Sequence, residues 1–202
     1  MNIFRRISIK LSVLYYSKII NKKFKFFGRN VIMVNPLRVD GPGYIALKDN
    51  VQVNYKTWLA AQPLTGMPDC LLEIGEGTVI GNFNHIYATH RVIIGKKVLT
   101  ADKVYISDNL HGYEQVDIPI MDQPIKQNKT VEIGDGTWLG EHVAVMGSKI
   151  GKNCVIAANA VVTKDIPDYC VAAGIPAVII KRYHTGKKAW LRTRKDGTFL
   201  ED

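Results

Sequence analysis

The run VEIGDGTWLGEHVAVMGSKIGKNCVIAANAVV, Val131 to Val162, repeats every six residues. Aliphatic side chains stand at Ile133, Leu139 and Val145 and, after one five-residue step, at Ile150, Ile156 and Val162. Gly follows the aliphatic at Gly134, Gly140 and Gly151, and a small or branched residue comes four places after it at Thr137, Val143 and Cys154. A period of six matches neither the turn of a helix nor the alternation of a strand. It fits a chain that turns a corner every six residues and always points the same position inward. The inward aliphatics then stack coil on coil, and Gly gives a tight corner its backbone freedom. Such a period is a signature of the parallel β-helix, so the fold class is all-β.

Upstream, the register extends through Ile74, Ile80 and Ile86, slips over Tyr87–Val92, and resumes at Ile94, Thr100 and Ile106. Leu47, Val53 and Leu59 keep the spacing, but Lys48, Asn54 and Ala60 stand where Gly usually follows. These residues are expected to form degenerate end coils that cap the solenoid. Pro63–Cys70, with Gly66 and Pro68, reads as a loop between coils. The pattern vanishes over residues 107–130, a long excursion of the kind that carries function on a rigid scaffold. Residues 2–20 read as a helix with Ile3, Ile7, Leu11 and Leu14 on one face. That face either packs on the domain or lies on an anionic lipid surface. The expected organisation is a basic amphipathic segment at 1–26, a solenoid domain at 27–183 and a polar, partly helical tail at 184–202.

The 202 residues suit one domain with appendages, and a 47% apolar share with 22% charged argues against disorder. The net charge of +9 comes largely from residues 1–29 and the tail after Lys181. It suits a phosphorylated ligand or a membrane surface. No zinc-finger spacing, RNA-binding aromatic signature or helix-turn-helix supports a nucleic-acid partner. Cys70, Cys154 and Cys170 are odd in number and unevenly spaced, which favours reduced thiols and a cytoplasmic setting over a disulfide framework. No run reaches the ~18 apolar residues of a membrane span. The interrupted N-terminal apolar stretch does not read as a signal peptide.

IGDGTWLGEHVAV, IGKNCVIAANAVVTKDIP and VAAGIPAVIIKRY together resemble the left-handed β-helix acyltransferases of the hexapeptide-repeat superfamily. Among these the chain is most similar to the galactoside, maltose and xenobiotic O-acetyltransferase group. The YISDNLHGY…PI..QP loop looks most like enzymes that acetylate cell-surface polysaccharides or their precursors. The resemblance covers residues 27–183. It implies a left-handed parallel β-helix, a homotrimer, a saccharide acceptor, and acetyl-CoA bound as co-substrate between subunits. No metal is expected to be required, because a third His ligand is missing upstream of His85.

Transfer of acetyl from a thioester to an alcohol needs a base for the hydroxyl, and neutral imidazole is suited to that work near pH 7. The resemblance makes that base His111, five residues after Ile106. Asn84 matches an F-x-N element that reaches the acceptor pocket, where its amide would bond the acceptor or act catalytically by fixing the reacting centre; it also suits a tight corner between repeats. Asp108 and Tyr113 are candidate acceptor contacts, and Asp108 is a candidate for orienting the imidazole, as a backbone carbonyl would be. Trp138 would wall the pantetheine channel and Ala158 would bring backbone close to CoA. Thr163, Lys164, Lys181 and Arg182 would lie near the nucleotide phosphates, Lys164 as a point charge. Val178 stands where some relatives carry an Arg. The amides around Glu141–His142 are candidate donors to the tetrahedral oxyanion. His85 and His90 share the H-x4-H spacing of a zinc site on this fold but lack a third His upstream. Two other functions remain open: N-acetylation of an amino sugar or nucleotide-sugar, and a non-catalytic binding scaffold.

Overall fold

The computed structural model describes residues 3–200, without the Arg5 side chain. Asn2 of the expected helix and Glu201 and Asp202 of the tail lie outside the described residues. Each coil contributes one short strand to each of three parallel sheets, the faces of a prism. The first face stacks Phe26–Phe27, Ile45–Leu47, Leu71–Ile74, Arg91–Ile94, Val131–Ile133 and Lys149–Ile150. The second stacks Ile32–Met33, Gln52–Val53, Val79–Ile80, Leu99–Thr100, Trp138–Leu139, Val155–Ile156 and Cys170–Ala173. The third stacks Arg38–Asp40, Trp58–Ala61, His85–Ala88, Tyr105–Ser107, Ala144–Met146 and Val161–Val162.

The sixfold period accounts for the core. Ile94, Ile133 and Ile150 are register partners on the first face, as are Leu139 and Ile156 on the second and Ile106, Val145 and Val162 on the third. All are buried, in rows spaced by the ~4.8 Å that separates neighbouring strands. Burying each such side chain contributes roughly 1.5–3 kcal/mol before conformational entropy is set against it. Polar groups that enter this interior are paired. Thr137 Oγ1 donates to Gly151 O at 2.8 Å and accepts from Cys154 N at 3.0 Å, joining consecutive coils. At the corners the coils touch through backbone: a Cβ on Gly134 would stand 2.5 Å from Gly151 C and Lys152 N.

The coil holding Leu47, Val53 and Leu59 is regular rather than degenerate. All three are fully buried and in register with Ile74, Ile80 and Ile86. One more coil precedes it, and the N-terminal helix Ile3–Leu14, continued by a π-helical segment Tyr15–Ile20, covers that end. The helix does not pack by the expected face. Ile9, Ser12, Val13, Tyr16 and Ile20 are part-buried, with Tyr16 and Ile20 against the core, while Ile3, Ile7, Leu11 and Leu14 face outward. Ser12 decides the rotation: its Oγ donates to Met33 O and accepts from Asn35 N, both at 2.9 Å, satisfying the open edge of the first coil. The tail is also different from expectation. Val178–His184 turns back antiparallel on Cys170–Ala173 and pairs with Ala189–Arg192, so residues 184–192 extend the second face as a β-hairpin rather than a helix. The only local strand signal in the tail is the short apolar run Ala189–Leu191 between basic residues, too brief to separate strand from helix.

Steps from first face to second and from second to third are six residues throughout, as in Ile74, Ile80, Ile86 and in Ile133, Leu139, Val145. Every irregularity falls at the third corner, where the chain passes from the third face to the first. There the step is five residues from Val145 to Ile150 and 27 from Ile106 to Ile133. The 62–70 loop, the slip after Tyr87 and the 107–130 excursion all leave from this one edge.

Candidate active site

Asp108 is what roots the long excursion to that edge. It is fully buried, and its two oxygens accept from Thr89 N at 2.8 Å, His90 N at 2.8 Å and Arg91 N at 2.6 Å. Thr89 Oγ1 and Asn109 Nδ2 add further bonds. A carboxylate so occupied closes the corner of the preceding coil. It is neither free to orient an imidazole nor open to an acceptor, which corrects both sequence expectations for Asp108.

From this root, Asn109–His111 runs antiparallel to Ile125–Gln127, with His111 opposite Ile125. His111 is exposed at the end of that ribbon, and no hydrogen bond from within the chain holds its ring among the described residues. Tyr113, two residues on, is also exposed. Gln127, not singled out from sequence, ties the ribbon to its surroundings. Its Nε2 donates to Asp108 O and Asn128 O, and its Oε1 accepts from Thr65 Oγ1 at 2.9 Å and Thr89 Oγ1 at 3.1 Å. The 62–70 loop is thereby held beside the His111 ribbon, and Tyr87 OH donates to Gln62 Oε1 at 3.1 Å at its base. Thr163 and Lys164 are exposed at the same edge, two coils further on.

The remaining cofactor candidates lie elsewhere. Trp138 is half exposed on the outside of the second face, the face opposite the edge that bears His111. Strand register runs one outward row from Leu99 through Trp138, Val155 and Val171 to Lys181 and Arg192. With strands ~4.8 Å apart, Lys181 lies roughly 14 Å from Trp138 along the row and Arg192 roughly 19 Å. Arg192 was missed because the tail was not read as a strand; its position directly across from Lys181 places two like charges side by side. Arg182, next on the strand, is exposed and pairs with Cys170 and Leu191, which puts it on the opposite side of the hairpin from Lys181 and Arg192. Ala158 is exposed at the corner between second and third faces, where Gly140 approaches its backbone closely. One chain therefore does not gather the expected residues: His111, Thr163 and Lys164 share one edge, and Trp138, Ala158, Lys181 and Arg182 occupy the other side of the prism.

Asn84 is buried, and its amide is spent on the corner: Nδ2 donates to Thr100 Oγ1 and Ala101 O, and Oδ1 accepts from Val104 N at 2.5 Å. Of the two sequence readings for Asn84, the tight corner is the one its geometry describes. His142 N donates to Asp102 O at 3.1 Å, so that amide serves coil stacking and is not free for an oxyanion. His85 stacks flat on Trp58, with ring centroids 4.1 Å apart, and its buried Nε2 has no hydrogen-bond partner. Burial pushes its pKa below the ordinary value, favouring a neutral ring. No three His, Cys, Asp or Glu side chains group to hold a metal among the described residues. All three cysteines are free and buried, and burial pushes the thiols of Cys70 and Cys154 up to about 11, away from nucleophilic use.

A prism of six-residue steps is the fold of a class, the hexapeptide-repeat β-helix acetyltransferases. Within it, the Escherichia coli (strain K12) protein named as a lipopolysaccharide biosynthesis O-acetyl transferase, WbbJ, is 35% identical over 173 residues, 81% of this chain and 74% of that one. Galactoside O-acetyltransferase of the same organism is 36% identical over 113 residues, 53% of this chain and 52% of its own length. AntD, an N-acyltransferase from Bacillus cereus solved in complex with dTDP and 3-hydroxybutyryl-CoA, shares the fold. Its TM-score is 0.67 at 16% identity, covering 87% of this chain and 92% of that one. No family model matches the chain. The chain belongs to the hexapeptide-repeat O-acetyltransferases, the galactoside and maltose group. It is an acyltransferase.

Proposed function

We propose that this enzyme acetylates a sugar hydroxyl of a cell-surface polysaccharide or its precursor in the cytoplasm, at a site completed between subunits of a homotrimer. The observation that carries this reading is the division of the site residues over two sides of the prism. The His111 edge of one copy and the Trp138 row of the next make one complete set. The outward row suits an extended acetyl-CoA: Trp138, Val155 and Val171 offer apolar surface to the pantetheine arm. Lys181 and Arg192 then stand at its far end for the phosphates, with Lys164 and Thr163 reaching in from the neighbouring edge.

In the proposed reaction the His111 ring takes the proton of the acceptor hydroxyl as the oxygen attacks the thioester carbon. The tetrahedral intermediate collapses with cleavage of the C–S bond, and the imidazolium returns the proton to the departing thiolate. Each product leaves with its atoms accounted for: an acetyl ester and free CoA thiol. The 62–70 loop and the 109–127 ribbon, locked together by Gln127, would form the acceptor side. The test is free-thiol release from acetyl-CoA with a panel of candidate sugars, followed by mild alkali on the product. An alkali-labile ester is expected; a stable amide would assign N-acetylation instead, and no thiol release with any saccharide would overturn the reading.

A further inference from the structure

Nine of the 27 Lys and Arg residues precede Asp40, the first acidic residue of the chain. The other 18 are equalled by the 18 Asp and Glu, so the first 39 residues carry +9 with no acid, while beyond them the basic tail is offset by an acidic middle of the chain. Arg6, Lys10, Lys18, Lys22, Lys23 and Lys25 are exposed and make no ion pair among the described residues.

The same segment holds an apolar surface open. Ile3, Ile7, Leu11 and Leu14 are 66%, 48%, 61% and 54% exposed, and Tyr15 continues the stripe at 46%. The helix is not free to roll this stripe inward. Ser12 is bonded to Met33 and Asn35, Ser8 Oγ accepts from Asn35 Nδ2 at 2.9 Å, and Tyr16 and Ile20 are wedged on the core. The fold has used the opposite side of an apolar helix to seal the first coil and left this side outward, on a segment whose charged residues are all cations.

We propose that the Ile3–Ile7–Leu11–Leu14 side lies on an anionic lipid surface. The aliphatic side chains enter the boundary between headgroups and acyl chains, and the surrounding Lys and Arg side chains meet lipid phosphates. An apolar stripe and a concentrated positive charge on one element are the two features by which an interfacial helix binds such a membrane. A cluster of cations alone would fit many polyanions, and an apolar stripe alone would fit a protein; together they fit lipid. The proposal rests on neither His111 nor the acetyl-CoA row.

The test is sedimentation of the full chain with vesicles of phosphatidylcholine alone and with about a third phosphatidylglycerol added. Binding to the anionic vesicles is expected, at least about tenfold weaker on the neutral ones and weakened by added salt. The double variant Ile7→Asp/Leu11→Asp is expected to lose about tenfold or more in affinity. Its circular dichroism, assembly mass and rate on a soluble acceptor should not change. The triple variant Lys22→Glu/Lys23→Glu/Lys25→Glu, outside the helix, should lose a similar factor and serves where the aspartates disturb folding. Absence of wild-type binding to anionic vesicles, or unchanged binding by a folded variant, would overturn the proposal. So would a fall in assembly mass for the aspartate variant, which would give the stripe to a second copy of the chain.

Discussion

Two kinds of corner alternate around this prism, and they obey different rules. The corners leading from first face to second and from second to third take six residues in every coil, and they bring backbone against backbone. The third corner takes anything from a short turn to the 107–130 excursion. The difference is physical. Where Gly134 meets Gly151 and Lys152 there is no room for a side chain, so length and composition are both set by stacking. At the third corner the chain escapes the stack, and a single buried carboxylate, Asp108, supplies the backbone bonds that stacking would have made. Substitutions at the fixed corners should therefore act on stability, and those at the open edge on turnover.

The largest expected effect is at the open edge. His111→Ala should lower kcat by about 10²- to 10⁴-fold while acetyl-CoA affinity, read by calorimetry, stays within twofold. Asp108→Ala should blur the contrast, because this residue belongs to both regimes. It leaves three backbone N–H groups without an acceptor, costing ~4 kcal/mol in denaturant unfolding, and it frees the His111 ribbon so that activity falls with stability. Gly134→Ala should restore the contrast, losing ~3 kcal/mol of stability with kcat/KM of the folded protein nearly unchanged. Trp138→Ala should raise KM for acetyl-CoA about tenfold with kcat little altered, as expected for binding shared by ground and transition states. The smallest effect is at His85. Its folded pKa lies below the unfolded value near 6.5, so the unfolded chain binds more protons as pH falls through that range. Stability should thus decline below about pH 6.5, and His85→Phe, which keeps the stack on Trp58, should flatten that slope.

The fixed corners were the legible part of the sequence. Ile133, Leu139 and Val145 report the fold because every inward position meets the same environment in the next coil. The irregular edge could be seen as a break in that report, and His111 could be placed in it through family resemblance, but its supports could not. Gln127 and Thr65 meet only because two loops of unrelated length fold over the same edge, which no local pattern encodes. Arg192 stayed hidden because the tail carries too short an apolar run to mark the strand that sets it opposite Lys181. The N-terminal helix shows the opposite failure. Its most regular apolar face was the obvious candidate for packing, yet Ser8 and Ser12 fix the other side inward by hydrogen bonds to the first coil.

Subunit complementation tests the divided site most directly. His111→Ala and Trp138→Glu chains, each nearly inactive alone at low acetyl-CoA, are unfolded together, refolded as mixed assemblies and assayed. If base and channel come from neighbouring copies, about a quarter of the sites in a random mixture pair an intact His111 with an intact Trp138. Activity should then return to about that fraction of wild type. Verified mixed assemblies that stay as inactive as their parents would contradict a site built between copies.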